Sequence, residues 1–362
     1  MPALFLVNPQ EQESGMFTPF DWFHKISESS NSQIQNLRDY YMVLNLTLQE
    51  ISTLNNLISG VTASPIVDPD LFISQICDIT PHVPHRITNA LHAFRQHGSS
   101  TGFLLISGIP IDDCSIPKTP SSNAFHVGSG TDLAKFQALF NLSIGEMVAY
   151  EAEGYGKLFQ DMVPSSMLSQ TQTSLGSNVE LEIHTEQAFS DLRPDALSLA
   201  CLRGDTKAKT YTLHVSQILT HLTPRELYLI RQSLWNIGVD ASFKMSGHTL
   251  VERETRGPMP ILSGDEEDPT LVFDQDLMRG VSNEAEALRK KIIDIYYEHR
   301  HEHVLSPGEI VLIDNRRAVH GRSSFLPNFD GLDRFIIRSF IVHDYEKSKH
   351  ARSGRIVLAR YS

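Results

Sequence analysis

The chain has 362 residues, 41% of them hydrophobic, which is enough for one large or two ordinary domains around a buried core and excludes a disordered chain. With 31 Lys and Arg against 43 Asp and Glu, the formal net charge is −12 at pH 7; most of such a surface repels phosphate backbones and anionic membranes, so nucleic acid is not an expected partner. The longest apolar runs, at 102–111 and 334–342, stop far short of the roughly 20 residues of a membrane span, and no basic stretch precedes the apolar N-terminus. Cys77, Cys114 and Cys201 are scattered without metal-ligand spacing, which suits a reducing compartment; the expectation is a cytoplasmic protein.

In chain order, residues 37–58 and 84–96 repeat apolar side chains at three and four positions and predict helices, with a break at 60–65. From residue 102 the pattern changes to short β-rich runs at 103–111, 197–202, 309–313 and 335–342. Two helices are predicted among these strands. Thr223-Pro-Arg-Glu226 is a capping box with Pro at the first helical position, and Asn283 with Glu286 is a weaker start of the same kind. Between them, 247–279 is rich in glycine, proline and acids, too irregular for a core element and long for a passive connection; it reads as an active-site flap spanning about 242–282. The expected organisation is a mainly helical N-terminal region, 1–100, packed on a β core, 101–362. The segment 37–58 is apolar enough to brace that core or to form a subunit interface, which leaves a homo-oligomer open.

His184 and Glu186 stand two apart in a β-rich segment, so a strand aims both at one point. His320 follows an apolar strand and the polar turn 314–317. Two imidazoles and one carboxylate on one face of an iron(II) ion leave three coordination positions open. Alone, a His-x-Glu triplet arises often by chance. Arg334 and Arg338 are four apart on one strand face, about 13 Å at about 3.3 Å per residue. A buried guanidinium cannot discharge itself, so each should meet a carboxylate of the protein or of a ligand. His299 and His303, at the end of the second predicted helix, have a spacing that can bind zinc, but no third ligand is near; they read as cations in a last helical turn.

Together, His184-Thr-Glu186 with the following Ala-Phe-Ser-Asp-Leu-Arg-Pro-Asp195, Cys201-Leu-Arg-Gly-Asp205, His320-Gly-Arg322 and the two downstream arginines resemble the clavaminate-synthase-like iron(II)/2-oxoglutarate oxygenases, which hydroxylate free amino acids. The resemblance covers about 102 to the C-terminus. It implies an α/β (α+β) chain with a double-stranded β-helix core, a cupin-like jelly roll, flanked by helices. It further implies Fe(II) on His184, Glu186 and His320, with 2-oxoglutarate and O2 as cosubstrates and no other catalytic side chain. Arg334, 14 positions after His320, would clamp the far carboxylate of 2-oxoglutarate, with Thr210 adding a hydroxyl. Arg338 would take the substrate α-carboxylate, Glu153 or Glu151 its ammonium, and Ser174 a polar contact. Asp274, then Asp276, would meet a side-chain cation. The motif wording is most similar to lysine hydroxylases, so the expected substrate is free L-lysine, hydroxylated at C4 or next at C3, with L-arginine or another amino acid as the alternative. A cupin-like binding protein without oxygenase chemistry is the alternative of another class.

Overall fold

A computed structural model describes residues 43–240 and 255–361. The parts of the predicted helix at 37–42 and of the predicted flap at 242–254 lie outside the described residues. Strand β1 (Val43–Asn45) leads into helix α1 (Leu48–Ile58), followed by α2 (Pro69–Ile79) and α3 (His85–His97). The single helix expected at 37–58 therefore begins late. Val43–Asn45 pairs in parallel with β2 (Phe103–Ser107), and Thr47 starts the helix by a reciprocal capping box with Glu50. Helix α4 (Asp132–Ile144), which no sequence pattern announced, is buried on nearly all sides, so its sequence lacks the one-sided apolar stripe that reveals a surface helix.

Strands β3 (Glu146–Tyr150), β4 (Gln160–Met162), β5 (Leu181–His184), β6 (Ala196–Arg203) and β7 (Lys209–His214) follow. Helices α5 (Val215–Thr220) and α6 (Pro224–Leu229) come next, the second opened by the capping box of Thr223 and Glu226 as predicted. Residues expected to be irregular instead form short strands: β9 (Thr255–Met259) and β12 (Met278–Gly280) flank β8 (Trp235–Gly238), while β10 (Leu262–Gly264) and β11 (Pro269–Leu271) make a hairpin. Strands of three to five residues carry too little alternation to be read. Helix α7 (Asn283–His299) is capped by Ser282, one residue earlier than expected; the Glu286 carboxylate accepts from Gly280 N instead.

The chain turns at Arg300 into β13 (His301–Val304), so His299 and His303 do not share a helical face. His303 pairs with Glu309 at 2.9 Å and His299 stacks on His221, which disposes of the zinc spacing. The remaining strands are β14 (Ile310–Asp314), β15 (Ala318–Arg322), β16 (Phe335–Val342), β17 (Arg352–Ser353) and β18 (Ile356–Val357).

Two sheets make the jelly roll. The larger runs β1-β2-β14-β6-β16-β3-β18-β17, with β4 also paired to β16; the smaller runs β13-β7-β15-β5. Alternate residues of β16 serve opposite faces: Phe335, Ile337 and Ile341 pack with α1 to α4, whereas Ile336 and Phe340 join Leu197, Val311 and Ile313 on the other face. Arg338 shares the second face, looking toward the smaller sheet. Among the described residues no helix is long and apolar enough to cross a membrane.

Candidate metal centre and active site

The smaller sheet assembles the first two site residues by register. His184 ends β5 and is the direct antiparallel partner of His320 in β15, and the ring centroids are 4.4 Å apart. Glu186 lies two residues beyond His184, where the chain leaves the strand. Asn315, in the turn between β14 and β15, fixes it there: its Oδ1 accepts from Glu186 N at 2.6 Å and its Nδ2 donates to Glu186 O at 3.1 Å and Pro194 O at 2.8 Å. Asn315 was not singled out from the sequence; its place in the polar turn before His320 was the available signal.

Among the described residues, His184, Glu186 and His320 are the group of His, Cys, Asp or Glu side chains whose ligand atoms converge, all within 4.8 Å of one another. The His184 Nδ1 contacts Glu182 O at 2.8 Å, which leaves Nε2 for a metal. His320 Nε2 faces Glu186 Oε2 at 3.5 Å. Among the described residues the buried Glu186 Oε2 has no hydrogen-bond donor, an arrangement that costs free energy unless a cation completes it. Burial and the neighbouring His184 push the His320 imidazole down to about 4, so it is neutral and able to ligate at pH 7. Burial opposes ionisation of Glu186, but the Arg338 guanidinium and the two imidazoles outweigh it and hold the carboxyl well below the usual range. The donor set fits iron(II) and leaves one face open.

The two arginines, Arg334 just before β16 and Arg338 within it, differ. Arg338 is surrounded by protein acceptors: Gln160 Oε1 at 2.6 Å, Glu186 Oε1 at 3.2 Å and the Glu153 carboxylate. Burial pushes the Glu153 carboxyl up, against the pull of Arg338, and Gln187 Nε2 donates to its other oxygen at 2.9 Å. Arg334 is 8% exposed, and among the described residues no carboxylate lies within 4 Å of it; Phe325 packs alongside, its ring centroid 5.8 Å away. A guanidinium buried this way is costly unless a ligand brings the anion. Arg334 lines a small cavity of about 50 Å³ together with Thr210, Arg322, His184, Glu186 and His320.

A second, larger cavity of about 770 Å³ opens on the other side of His184 and Glu186. Among the described residues seven acids line it, Glu151, Glu153, Glu182, Glu186, Asp240, Asp274 and Asp276, against one arginine, Arg338. Of the two acids expected near the substrate ammonium, Glu153 bonds Arg338, whereas Glu151 turns its carboxylate to Ala359 N at 2.9 Å. Asp274 sits deep because its backbone bridges to His184, with its side chain accepting from Leu277 N at 2.6 Å; burial pushes its carboxyl up. Asp276 is exposed at the rim, and Ser174 lines both cavities. Asp240, two residues past β8, adds an acid that the sequence did not mark.

The depth of Asp274 depends on the hairpin beside it. Asp268, immediately before β11, binds the buried Arg317 at 2.5 and 2.7 Å, and Arg317 also holds Asp314 at 2.8 Å. The strand after Asp268 is then laced to the core by Leu271 N to Arg316 O, Thr185 N to Phe273 O and Gln275 N to Ile183 O, each 2.8 to 2.9 Å.

A jelly roll with a two-histidine, one-carboxylate centre, an anion-seeking arginine behind it and a ligand-sized cavity before it defines a non-haem iron oxygenase. Residues 238–339 match the family described as taurine catabolism dioxygenase TauD, TfdA family. The chain is 51% identical over 322 residues to an L-lysine 3-hydroxylase of Catenulispora acidiphila, covering 88% of this chain and 90% of the relative. It is 32% identical to an enduracididine beta-hydroxylase of Streptomyces hygroscopicus over 75% of this chain and 85% of the relative. A solved structure of an asparagine oxygenase with Fe(II), 2S,3S-3-hydroxyasparagine and succinate superposes with a TM-score of 0.81 at 26% identity, over 88% of this chain and 99% of that one. The chain belongs to the clavaminate-synthase-like branch of this family and is an iron(II)- and 2-oxoglutarate-dependent amino-acid hydroxylase. That membership sets aside a binding protein without oxygenase chemistry.

Proposed function

We propose that the protein hydroxylates free L-lysine at C3. The observation that carries the lysine reading is the larger cavity: with Glu186 given to the iron and Glu151 to the Ala359 backbone, Glu153, Glu182, Asp240, Asp274 and Asp276 still line it against Arg338 among the described residues, and that excess of carboxylate suits a substrate with two ammonium groups and one carboxylate. C3 takes precedence over C4, the first expectation, because the relative at 51% identity is an L-lysine 3-hydroxylase, and the enduracididine enzyme and the asparagine oxygenase product also name the β carbon.

In this reading His184, Glu186 and His320 hold the iron, which with 2-oxoglutarate and O2 supplies the oxidising power for C–H hydroxylation, releasing succinate and CO2. Arg334 receives the far carboxylate of 2-oxoglutarate, with the Thr210 hydroxyl beside it in the small cavity. Arg338 takes the α-carboxylate of lysine and Glu153 the α-ammonium, exchanging part of their mutual contact for the two ends of the amino acid. Asp274 receives the ε-ammonium, with Asp276 at the rim and Asp240 adding negative field. Glu151 is left as a support for the C-terminal backbone, and Ser174 as a wall contact. Charges at both ends of the chain fix which methylene faces the metal, and a displacement of about 1 Å would change the carbon attacked. A helical N-terminal region, 1–100, on an oxygenase core, 101–362, and a cytoplasmic location complete the proposal; all three cysteines being free is consistent with the latter.

The test is succinate formation from 2-oxoglutarate with each of the twenty amino acids, followed by NMR of the product. Lysine-dependent turnover to 3-hydroxylysine is expected. A preference for arginine would overturn the substrate, and 4-hydroxylysine would overturn the position.

A further inference from the structure

Arg322, at the end of β15, has no role in the assignments above. It is 6% exposed, and among the described residues its guanidinium donates to backbone carbonyls, Ser323 O at 3.1 Å, Ser174 O at 3.3 Å and Val179 O at 3.5 Å. No carboxylate among the described residues lies within 4 Å of it, and its largest charged neighbour is another cation, Arg334. Both guanidinium groups pack against Phe325, at 5.0 and 5.8 Å from the ring centroid, and both line the small cavity behind the metal ligands.

The register of the smaller sheet explains how Arg322 arrives there. It lies two residues from His320, and so on the same face of β15, and it is the direct cross-strand partner of Thr210 in β7. One face of two paired strands therefore presents a metal ligand, a hydroxyl and a guanidinium to one cavity. Two buried like charges lining one cavity repel each other, and an anion between them offsets that cost. A carboxylate has two oxygens and about four acceptor sites, enough for two guanidinium groups and a hydroxyl.

We propose that Arg322 is a second cationic ligand for the distal carboxylate of 2-oxoglutarate, acting with Arg334 across the Phe325 ring. The inference rests on the reading that Arg334 receives that carboxylate, and it assigns to Arg322 the selection of a dicarboxylic over a monocarboxylic keto acid.

The test is calorimetric binding to enzyme loaded with Ni(II), which needs no turnover. 2-Oxoglutarate and 2-oxopentanoate, which lacks the distal carboxylate, are titrated into wild type, R322M, R322K and R334M. R322M is expected to weaken 2-oxoglutarate by about 30-fold or more and to leave 2-oxopentanoate unchanged, with R322K intermediate. If R322M does not fold, R322K carries the test, since it keeps the charge but loses the planar fork. Equal weakening of both keto acids, or unchanged 2-oxoglutarate affinity with a raised KM for lysine, would make Arg322 a prop for the wall at Ser174 and Val179 and overturn the proposal. An R334M enzyme that still binds 2-oxoglutarate at full strength would refute the underlying reading of Arg334, separately from Arg322.

Discussion

Glu186 and Asn315 are joined by two backbone hydrogen bonds, 2.6 Å into the Asn315 amide oxygen and 3.1 Å out of its nitrogen, although 129 residues separate them. The clamp works on the main chain at the point where β5 has ended, so it occupies neither oxygen of the Glu186 carboxylate; Oε1 meets Arg338 and Oε2 faces His320. N315A is expected to lower metal affinity by about 10- to 100-fold, measured by titration of Ni(II) or Fe(II) under anaerobic conditions. Unchanged affinity would mean that the β5 backbone alone positions Glu186.

E186A removes a ligand rather than its support, and the loss should be larger. Succinate formation is expected to fall by more than about 100-fold, with the fold intact by circular dichroism. Retained turnover would show that the centre uses another carboxylate.

Asp274 lines the larger cavity beside His184, to which its backbone bridges. A charged hydrogen bond to the substrate is worth about 1.5 to 3 kcal/mol, so D274N should raise KM for lysine by roughly 10- to 150-fold. KM for 2-oxoglutarate should stay as it was. If both constants move together, Asp274 acts through its bridge to His184 rather than on the substrate.

Arg317 and its two acids offer a contrast in magnitude. Arg317 and Asp314 are 2% and 4% exposed, and R317M strands the buried Asp314; about 3 to 5 kcal/mol of stability should be lost in urea denaturation. Asp268 is 43% exposed, so D268N should cost about 1 kcal/mol or less. Its effect belongs instead in KM for lysine, because the segment that begins after Asp268 leads through β11 to Asp274. A D268N enzyme with unaltered KM would show that the backbone bonds of Leu271, Phe273 and Gln275 suffice.

Asp161 on β4 is fully buried, accepting from Val127 N at 2.6 Å and Gly128 N at 3.0 Å. Burial outweighs those bonds and pushes its carboxyl up to about 6. A carboxyl raised by folding stabilises the native state while protonated, and that contribution is lost as pH rises from about 4 through about 6. The stability of D161N relative to wild type should therefore improve over that interval and level off above it. Urea midpoints at pH 4, 5, 6 and 7 check the sign; a difference that does not vary with pH would place the titration elsewhere.

Local pattern alone was sufficient for several parts of this protein. The apolar runs at 197–202, 309–313 and 335–342 mark β6, β14 and β16 because buried central strands are apolar along their length, and Thr223 with Glu226 caps α6 because a capping box is complete within four residues. The triplet at 184–186 was readable as two donors two residues apart, although β5 ends at His184 and the Asn315 clamp, not strand periodicity, places Glu186. Family likeness, rather than spacing, paired them with His320.

Other features depend on partners distant in the chain. Nothing near Asp268 tells that Arg317 will reach it, nothing near Glu151 tells that Ala359 N will claim it while Glu153 faces Arg338, and Arg322 shares a cavity with Arg334 because β15 and the chain entering β16 belong to opposing sheets. A side chain's periodicity is set by its own backbone, so sequence carries it. Whether a buried charge finds its counter-charge is set by which strands the fold brings face to face, and that is decided only when the two sheets close.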